Sequence, residues 1–280
     1  MAKLKRQKSP RNLGHIYQKR SLSQVFLKES WPCEEIAEIL VREGVSSVLE
    51  IGPGSGALTK ELLARGLHVF AIEKDERFVT YLREELAPIY EEKGVTLEVL
   101  HEDVLQFDLK TFLSDNKDVQ AVVGNIPYSI STPIVFHILP EISKIKKAVL
   151  LVQLEFAERL ASEPGKKSYG SLSVYTQLRS QICFEFVVEK ESFVPVPKVD
   201  SAVISFSSKN SIHSQEVLQK VEKLTKVAFS QRRKKLSNAL KPFLTSMPEA
   251  NITIDLTRRP DTVSPEEFVD LARMFFREIE

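Results

Sequence analysis

Apolar residues along this chain follow two alternating rhythms. Short apolar runs recur at 48–51, 69–73, 97–101, 121–124 and 148–152. Each has the length of a buried strand. Between them the spacing changes to three and four, with Leu58, Leu62 and Leu63 in one gap and Phe78, Tyr81, Leu82 and Leu86 in the next. Stripes of this kind predict amphipathic helices. Strands alternating with helices predict βαβ units and a mostly parallel sheet. Two further runs, 183–188 and 202–206, have no long helical stripe between them. They predict an antiparallel pair that closes a seven-stranded sheet. After a polar stretch at 207–211 the pattern turns helical, through Val217, Val221, Leu224 and Val227, then Leu236, Leu240 and Phe243, then Phe268, Leu271 and Phe275. The expected fold is therefore α/β, a Rossmann-like sheet followed by a small all-helical domain. We divide the chain into a tail (1–20), a sheet domain (21–207) and a helical domain (208–280).

Composition adds limits rather than a function. The 280 residues are 42% hydrophobic and 28% charged, with a net charge of +1, ordinary values for a soluble globular protein. No run approaches the ~18 apolar residues of a membrane helix, and no signal-peptide core follows the first basic residues. A cytoplasmic protein is the default expectation. Cys33 and Cys183 sit in no CxxC or Cys/His cluster. Two buried thiols and no metal site are expected. Charge is segregated, however. Lys3, Lys5, Arg6, Lys8, Arg11, Lys19 and Arg20 crowd the first 20 residues without an acid, and Arg232-Arg233-Lys234-Lys235 forms a second block. A nearly neutral protein can still present a basic face to nucleic acid. A solubilising tail and a solvated helix face are the plain alternatives.

The chemistry gathers at the ends of predicted strands. The first strand runs into Gly52-Pro53-Gly54-Ser55-Gly56-Ala57, and a helix follows. Glycines allow positive φ and close backbone approach, and the helix start offers free N–H groups. Glu73 ends the next strand, 21 residues on (73 − 52), where a carboxylate can accept both hydroxyls of a ribose. These residues alone fit NAD and S-adenosylmethionine equally, since Gly52-x-Gly54-x-x-Ala57 also satisfies the dinucleotide fingerprint. Asp103 ends the third strand and can accept an adenine amino group, or merely cap the next turn. Asn125-Ile126-Pro127-Tyr128 ends the fourth, 22 residues later (125 − 103), and this tips the balance. The exocyclic nitrogen of adenine is a poor nucleophile because its lone pair is delocalised into the ring. The Asn125 side-chain oxygen and a main-chain carbonyl beside Pro127 can each accept one of its N–H bonds, favouring the pyramidal form whose lone pair attacks a methyl group. Pro127 fixes the direction of the preceding carbonyl. Tyr128 can stack on the base. A hydride-transfer site has no need of this tetrad.

Taken in order, these segments resemble the ribosomal RNA adenine N6-dimethyltransferases, and among them the small-subunit (16S) dimethyladenosine transferases. Gln24-Val25-Phe26-Leu27 resembles the family's opening segment. Residues 50–59, Glu73, Asp103 and 125–128 resemble its cofactor and target-amine motifs. Residues 167–174, 193–203 and 229–236 resemble a loop, the segment entering the last strands, and a basic helix of the C-terminal domain. The resemblance implies a seven-stranded S-adenosylmethionine-dependent methyltransferase sheet with cofactor contacts at Val25, Leu27, Gly52, Gly54, Glu73, Asp103 and Asn125. It implies catalytic roles for Asn125 and Tyr128, with Phe193 stacked on the target adenine opposite Tyr128; from the residues alone Phe193 reads as core. It implies two methyl groups on each of two adjacent adenosines in a hairpin loop near the rRNA 3′ end. The partner is then a pre-30S particle, the protein a monomer with a role in small-subunit biogenesis, and Arg232, Arg233, Lys234 and Lys235 hold RNA phosphates. One position departs: the family has Asn where this chain has Val25, which predicts weakened cofactor affinity rather than lost activity.

Four other readings share parts of this pattern. A large-subunit rRNA dimethyltransferase has the same fold and most motifs, but 195–203 and 229–236 favour the small-subunit type. DNA adenine and protein glutamine methyltransferases more often carry Pro where this chain has Ile126. A non-enzymatic ribosome-assembly factor would not need Glu73, Asn125 and Tyr128. An NAD-dependent oxidoreductase would need a hydride-transfer acid that no residue supplies.

Overall fold

A computed structural model describes residues 26–209, 213–244 and 254–276. Val25 and the basic tail lie outside the described residues. The chain enters through a short strand, β1 (Phe26–Leu27), and a helix, α1 (Trp31–Arg42). Pro32 in its first turn and Arg42 in its last suit the two ends, and Cys33, Ile36, Ala37 and Leu40 form its buried stripe. Then come β2 (Ser47–Ile51), α2 (Ala57–Ala64), β3 (His68–Glu73) and α3 (Glu76–Tyr81), which continues through a π turn into α4 (Ala87–Glu91). β4 (Leu97–His101), α5 (Leu109–Asp115) and β5 (Ala121–Asn125) follow, and a 3-10 turn leads into α6 (Ser131–Ile138). Then follow β6 (Lys147–Gln153), α7 (Leu154–Ala161), α8 (Ser171–Arg179), β7 (Ser180–Val188), β8 (Phe193–Val194) and β9 (Ser201–Ser208). Beyond it lie α9 (Gln215–Ser230), α10 (Leu236–Ala239), α11 (Lys241–Leu244) and α12 (Pro265–Phe275).

Seven strands form one sheet in the order β4-β3-β2-β5-β6-β9-β7. β2 pairs in parallel with β3 on one side and β5 on the other. β9 is antiparallel to both β6 and β7. The predicted antiparallel pair is therefore present, with its later member inserted between β6 and the edge. A dinucleotide-binding sheet keeps its strands parallel in the order 3-2-1-4-5-6; the reversed strand next to the edge separates this fold from it. The strand order reverses at β2, running β2-β3-β4 to one side and β5-β6 to the other, so the crevice beyond the carboxyl ends of β2 and β5 is the topological switch point, where open α/β sheets bind ligands.

Alternation along β2 splits the core. Leu49 and Ile51 pack with Val122, Ile134 and Leu150 on one face. Val48 packs with Cys33, Leu40 and Leu62 on the other. All five β2 residues are buried, as expected of a central parallel strand. A third cluster joins Leu218, Val221, Leu224 and Ala228 of α9 to Phe268 and Leu271 of α12, and takes in Tyr169, Val174 and Leu178 from around α8. The Tyr169 hydroxyl donates to the Val263 carbonyl at 2.8 Å. The late helices thus share their core with the sheet side. The α9 stripe runs through Leu218 and Ala228, while Val217 and Val227 are only partly buried.

One expectation needs correction, and one element carries no signal in the sequence. Cys33 is buried but Cys183 is exposed, because β7 is an edge strand with a register shift between Phe184 and Phe186 that leaves much of its apolar run uncovered. And a two-stranded ribbon unmarked by any rhythm in the sequence pairs Leu27 with Phe193. Among the described residues no helix is long and apolar enough to cross a membrane.

Candidate active site

A cavity of about 350 Å³ opens at the switch point. Its wall contains Leu27, Gly52, Gly54, Glu73, Asp103, Asn125 and Tyr128, so most of the predicted site residues come together. They come from four strand ends and from β1, and parallel strands bring those ends to one edge.

The glycine turn earns its residue types through geometry. Gly52, Gly54 and Gly56 have φ of 64°, 54° and 78°, a region that L side chains rarely adopt. At Gly54 an added Cβ would lie 3.3 Å from the Phe26 ring. The glycine N–H groups are spent within the fold: Gly52 donates to the Ile72 carbonyl at 2.9 Å, Gly56 to the Pro53 carbonyl at 2.9 Å, and Gly54 to Glu73 Oε2 at 3.0 Å. The turn therefore aims an acid rather than a row of free donors at the cavity. Glu73 is 7% exposed, and its Oε1 accepts from the Asp75 N–H at 2.8 Å. With one backbone donor on each oxygen, the carboxylate is locked, and each oxygen keeps acceptor capacity for a diol. Burial pushes its pKa up, opposed by the N–H groups of Asp75, Gly54 and Lys74.

Asp103 behaves differently. Lys74 Nζ lies 2.7 Å from Oδ2, and the Leu105 N–H donates to Oδ1 at 3.1 Å. Lys74 and that N–H hold its carboxyl below the usual range. Asp103 thus caps the following turn, one of the two readings of its position, and also lines the cavity.

At the end of β5, Asn125 is half-buried, and its carboxamide has no hydrogen bond among the described residues. The next two carbonyls are not equivalent. That of Pro127 accepts from the Ile130 N–H at 3.0 Å and from the Ser131 hydroxyl at 3.3 Å. That of Ile126 has no partner among the described residues, although its own N–H donates to Leu151. Asn125 Oδ1 and the Ile126 carbonyl are therefore the two acceptors left for an amine. The Tyr128 hydroxyl lies 3.0 Å from Ser201 Oγ on β9, which fixes the ring at the cavity wall.

Sequence reasoning passed over Gly124. It pairs with Ile51 across β2 and β5, and an added Cβ would meet the Ile51 carbonyl at 2.7 Å and Ile126 Cδ1 at 2.9 Å. Its lack of a side chain lets the two strand ends close beneath the cavity. The signal was a lone glycine at the end of an apolar run. Glu50, which the sequence places only within the segment 50–59, is 1% exposed and in the cavity wall.

Two predicted placements do not hold. Phe193 is 1% exposed and packs in the apolar cluster of α1 and β2, outside the cavity wall. Its pairing with Leu27 turns the ring into the core, so in this geometry it has no open face for a base. The block Arg232–Lys235 is not a helix: it lies in the turn between α9 and α10. Arg232 is tied down there, with Nε 3.3 Å from Asp261 Oδ2 and Nη2 donating to the Lys166 carbonyl at 3.0 Å. Arg233, Lys234 and Lys235 are exposed.

A family model described as Ribosomal RNA adenine dimethylase matches residues 16–276. The chain belongs to this family. It is an S-adenosylmethionine-dependent rRNA methyltransferase. A protein from Nitrosococcus oceani, the Ribosomal RNA small subunit methyltransferase A, is 37% identical over 95% of this chain and 98% of its own. Among solved structures, the 23S rRNA methyltransferase ErmE superposes with a TM-score of 0.66 at 27% identity, covering 90% of this chain and all (100%) of that one. A dimethyladenosine transferase from Plasmodium falciparum shares the fold, with a TM-score of 0.69 at 24% identity over 88% of this chain and 95% of its own.

The residues present fit S-adenosylmethionine. A locked acid at the β3 end suits a ribose diol, a second acid at the β4 end suits an amino group, and the positive-φ glycines leave the wall low. Buried Glu50, also in the wall, suits a cation.

Proposed function

We propose that this protein transfers methyl groups from S-adenosylmethionine to the N6 atoms of two adjacent adenosines in a hairpin loop near the 3′ end of 16S rRNA, acting on a pre-30S particle in the cytoplasm as a monomer. The observation that carries this is the pair of unpaired acceptors, Asn125 Oδ1 and the Ile126 carbonyl, at the edge of the cavity that holds Glu73 and Asp103. Leu27, Gly52, Gly54, Glu73, Asp103 and Asn125 bind the cofactor, which supplies an already activated methyl group. The chain's own task is alignment more than base catalysis. Asn125 and Ile126 hold the amine and orient its lone pair, and Tyr128, braced by Ser201, stacks on the base. Loop bases can be splayed out at lower cost than paired ones, which suits this chemistry. Arg233, Lys234 and Lys235 take phosphates, while Arg232 keeps their turn in shape. Residues 208–280 then form the RNA-binding part and 21–207 the methyltransferase part. A base-stacking role for Phe193 would require the β1–β8 ribbon to open.

The test is methyl transfer from labelled S-adenosylmethionine to undermethylated small and large ribosomal subunits, with Asn125→Ala as control, followed by digestion to nucleosides. The expected result is N6,N6-dimethyladenosine in small-subunit rRNA, absent with the variant. Transfer to large-subunit rRNA alone would assign the activity of the other branch. Tight binding without transfer would leave an assembly factor. In the same assay Val25→Asn is expected to raise cofactor affinity, by about 1 kcal/mol for a restored hydrogen bond.

A further inference from the structure

One wall of the cavity rests on very little backbone. β1 has two residues, Phe26 and Leu27, and both line the cavity. Phe26 lies over the glycine turn: a Cβ added at Gly54 would be 3.3 Å from its ring, which also meets Phe78 edge-on with centroids 5.9 Å apart. The strand is held by its ladder to β8, where Phe26 pairs with Val194 and Leu27 with Phe193. The Lys28 N–H adds one bond, to the Ser192 carbonyl at 2.8 Å. This ribbon is separate from the seven-stranded sheet, and a two-stranded ribbon is marginal in water without packing or side-chain support.

Glu29 supplies such support. Its Oε2 accepts from the Ser192 hydroxyl across the ribbon at 3.2 Å and from Trp31 Nε1 at the start of α1 at 2.9 Å. Both donors are anchored. Ser192 is 5% exposed and directly precedes Phe193. The Trp31 ring packs on Phe186 of β7 with centroids 5.4 Å apart. Glu29 itself is exposed and forms no ion pair among the described residues, so it does not act as a surface salt bridge. Nor does it line the cavity.

We propose that Glu29 is a positioning residue for the cofactor: by clamping Ser192 to Trp31 it keeps the β1–β8 ribbon closed, and so holds Phe26 and Leu27 in the cavity wall. This rests on the reading of the cavity as the S-adenosylmethionine site. An open ribbon takes one wall away. Cofactor then binds only the closed fraction of molecules, and apparent affinity falls with that fraction. The amine acceptors at the end of β5 are untouched, so turnover at saturating cofactor is preserved.

The experiment measures three quantities on the full-length protein: retention of labelled S-adenosylmethionine, steady-state methyl transfer to undermethylated small subunits, and hydrogen exchange of the segment 26–30. Glu29→Ala should weaken cofactor binding and raise its KM roughly 5–20-fold, with kcat within about twofold of wild type. Ser192→Ala cuts only the bond across the ribbon and should show a smaller loss of the same kind; it decides the matter alone if Glu29→Ala does not fold. Glu29→Gln keeps an oxygen with two lone pairs and should bind cofactor as the wild type does. Exchange at the Lys28 N–H should quicken in both alanine variants, and saturating cofactor should slow it in the wild type. Wild-type affinity in the alanine variants overturns the proposal, even if exchange quickens, since the clamp would then serve only local structure. A loss in Glu29→Gln equal to that in Glu29→Ala also overturns it, because charge rather than the clamp would be at work. Failure of the wild type itself to retain labelled cofactor overturns the cofactor reading of the cavity, and this inference with it.

Discussion

At the carboxyl end of the sheet the chemical groups are buried and tied. Glu73 accepts one backbone N–H on each oxygen, Tyr128 leans on Ser201, and the strand ends are drawn together at Gly124. In the turn between α9 and α10 Arg233, Lys234 and Lys235 are exposed, and among the described residues Arg232 alone of the block has its side chain tied, through Asp261 and Lys166. The contrast follows from what each surface must grip. A reacting nitrogen has to be placed within a fraction of an ångström, so its partners need immobile supports. A phosphate backbone is gripped by charge, which acts over several ångströms and tolerates motion. Damage in the first region should appear in turnover, and damage in the second in salt-dependent affinity.

The sharpest test of that division is Asn125→Ala. It removes one of two amine acceptors and leaves the backbone of β5 in place. Turnover is expected to fall about 10²–10³-fold or more, as for loss of a preorganised polar group at a reacting centre. The rRNA affinity should stay within a few fold of wild type. A parallel loss of rRNA binding would show that the two regions are not separable.

Gly124→Ala probes the support rather than the chemistry. With backbone oxygen only 2.7 Å from the new Cβ, β2 and β5 must part. Denaturant unfolding should show a loss of about 2–4 kcal/mol, typical of overpacking where backbone has to move. Cofactor affinity should drop with it. An unchanged midpoint would mean that the strand ends are looser than their geometry implies.

Most of this region was legible because parallel strands write plainly: continuous apolar runs ended by Gly52, Glu73, Asp103 and Asn125 locate both the sheet and its functional edge. What stayed hidden depends on pairing between distant residues. The two-residue strands β1 and β8 are too short to carry a period, so the burial of Phe193 beside Leu27 had no local signal. The same holds for Cys183, whose apolar run looks like core until β9 inserts and leaves β7 at the edge. The family resemblance puts a helix at the basic block, but the chain turns there after Ser230, and charge density says nothing about φ and ψ. Glu50 is visible in the sequence as a residue but not as a buried one, since burial of a charge is a property of the fold.

That buried acid also distinguishes the two regions by their response to pH. A carboxyl whose pKa rises on folding, here from 4.5 to about 8, binds more protons folded than unfolded between those values. Its stabilising effect is intact at the low end of the window and is lost as pH climbs through it. The cofactor-free protein should therefore lose about 2–3 kcal/mol of stability between pH 5.5 and 7.5, and Glu50→Gln should flatten that slope. Thermal melts across this range measure it. A wild-type slope equal to that of the variant would mean that Glu50 is ionised throughout.

The smallest expected effect lies in the turn. Arg233 and Lys234 are exposed and form no ion pair among the described residues, so replacing both with Glu should leave the melting temperature nearly unchanged. Each lost phosphate contact should lower the slope of log affinity against log salt by about 1, and the pair should weaken rRNA binding roughly tenfold or more at moderate salt. S-adenosylmethionine affinity should not move. Arg232→Ala serves as the counter-case, since it breaks the bridge to Asp261 and should lower stability as well as RNA binding. If the double reversal leaves the salt slope intact while Arg232→Ala reduces both, the turn is a structural element and the phosphate grip lies elsewhere on the protein.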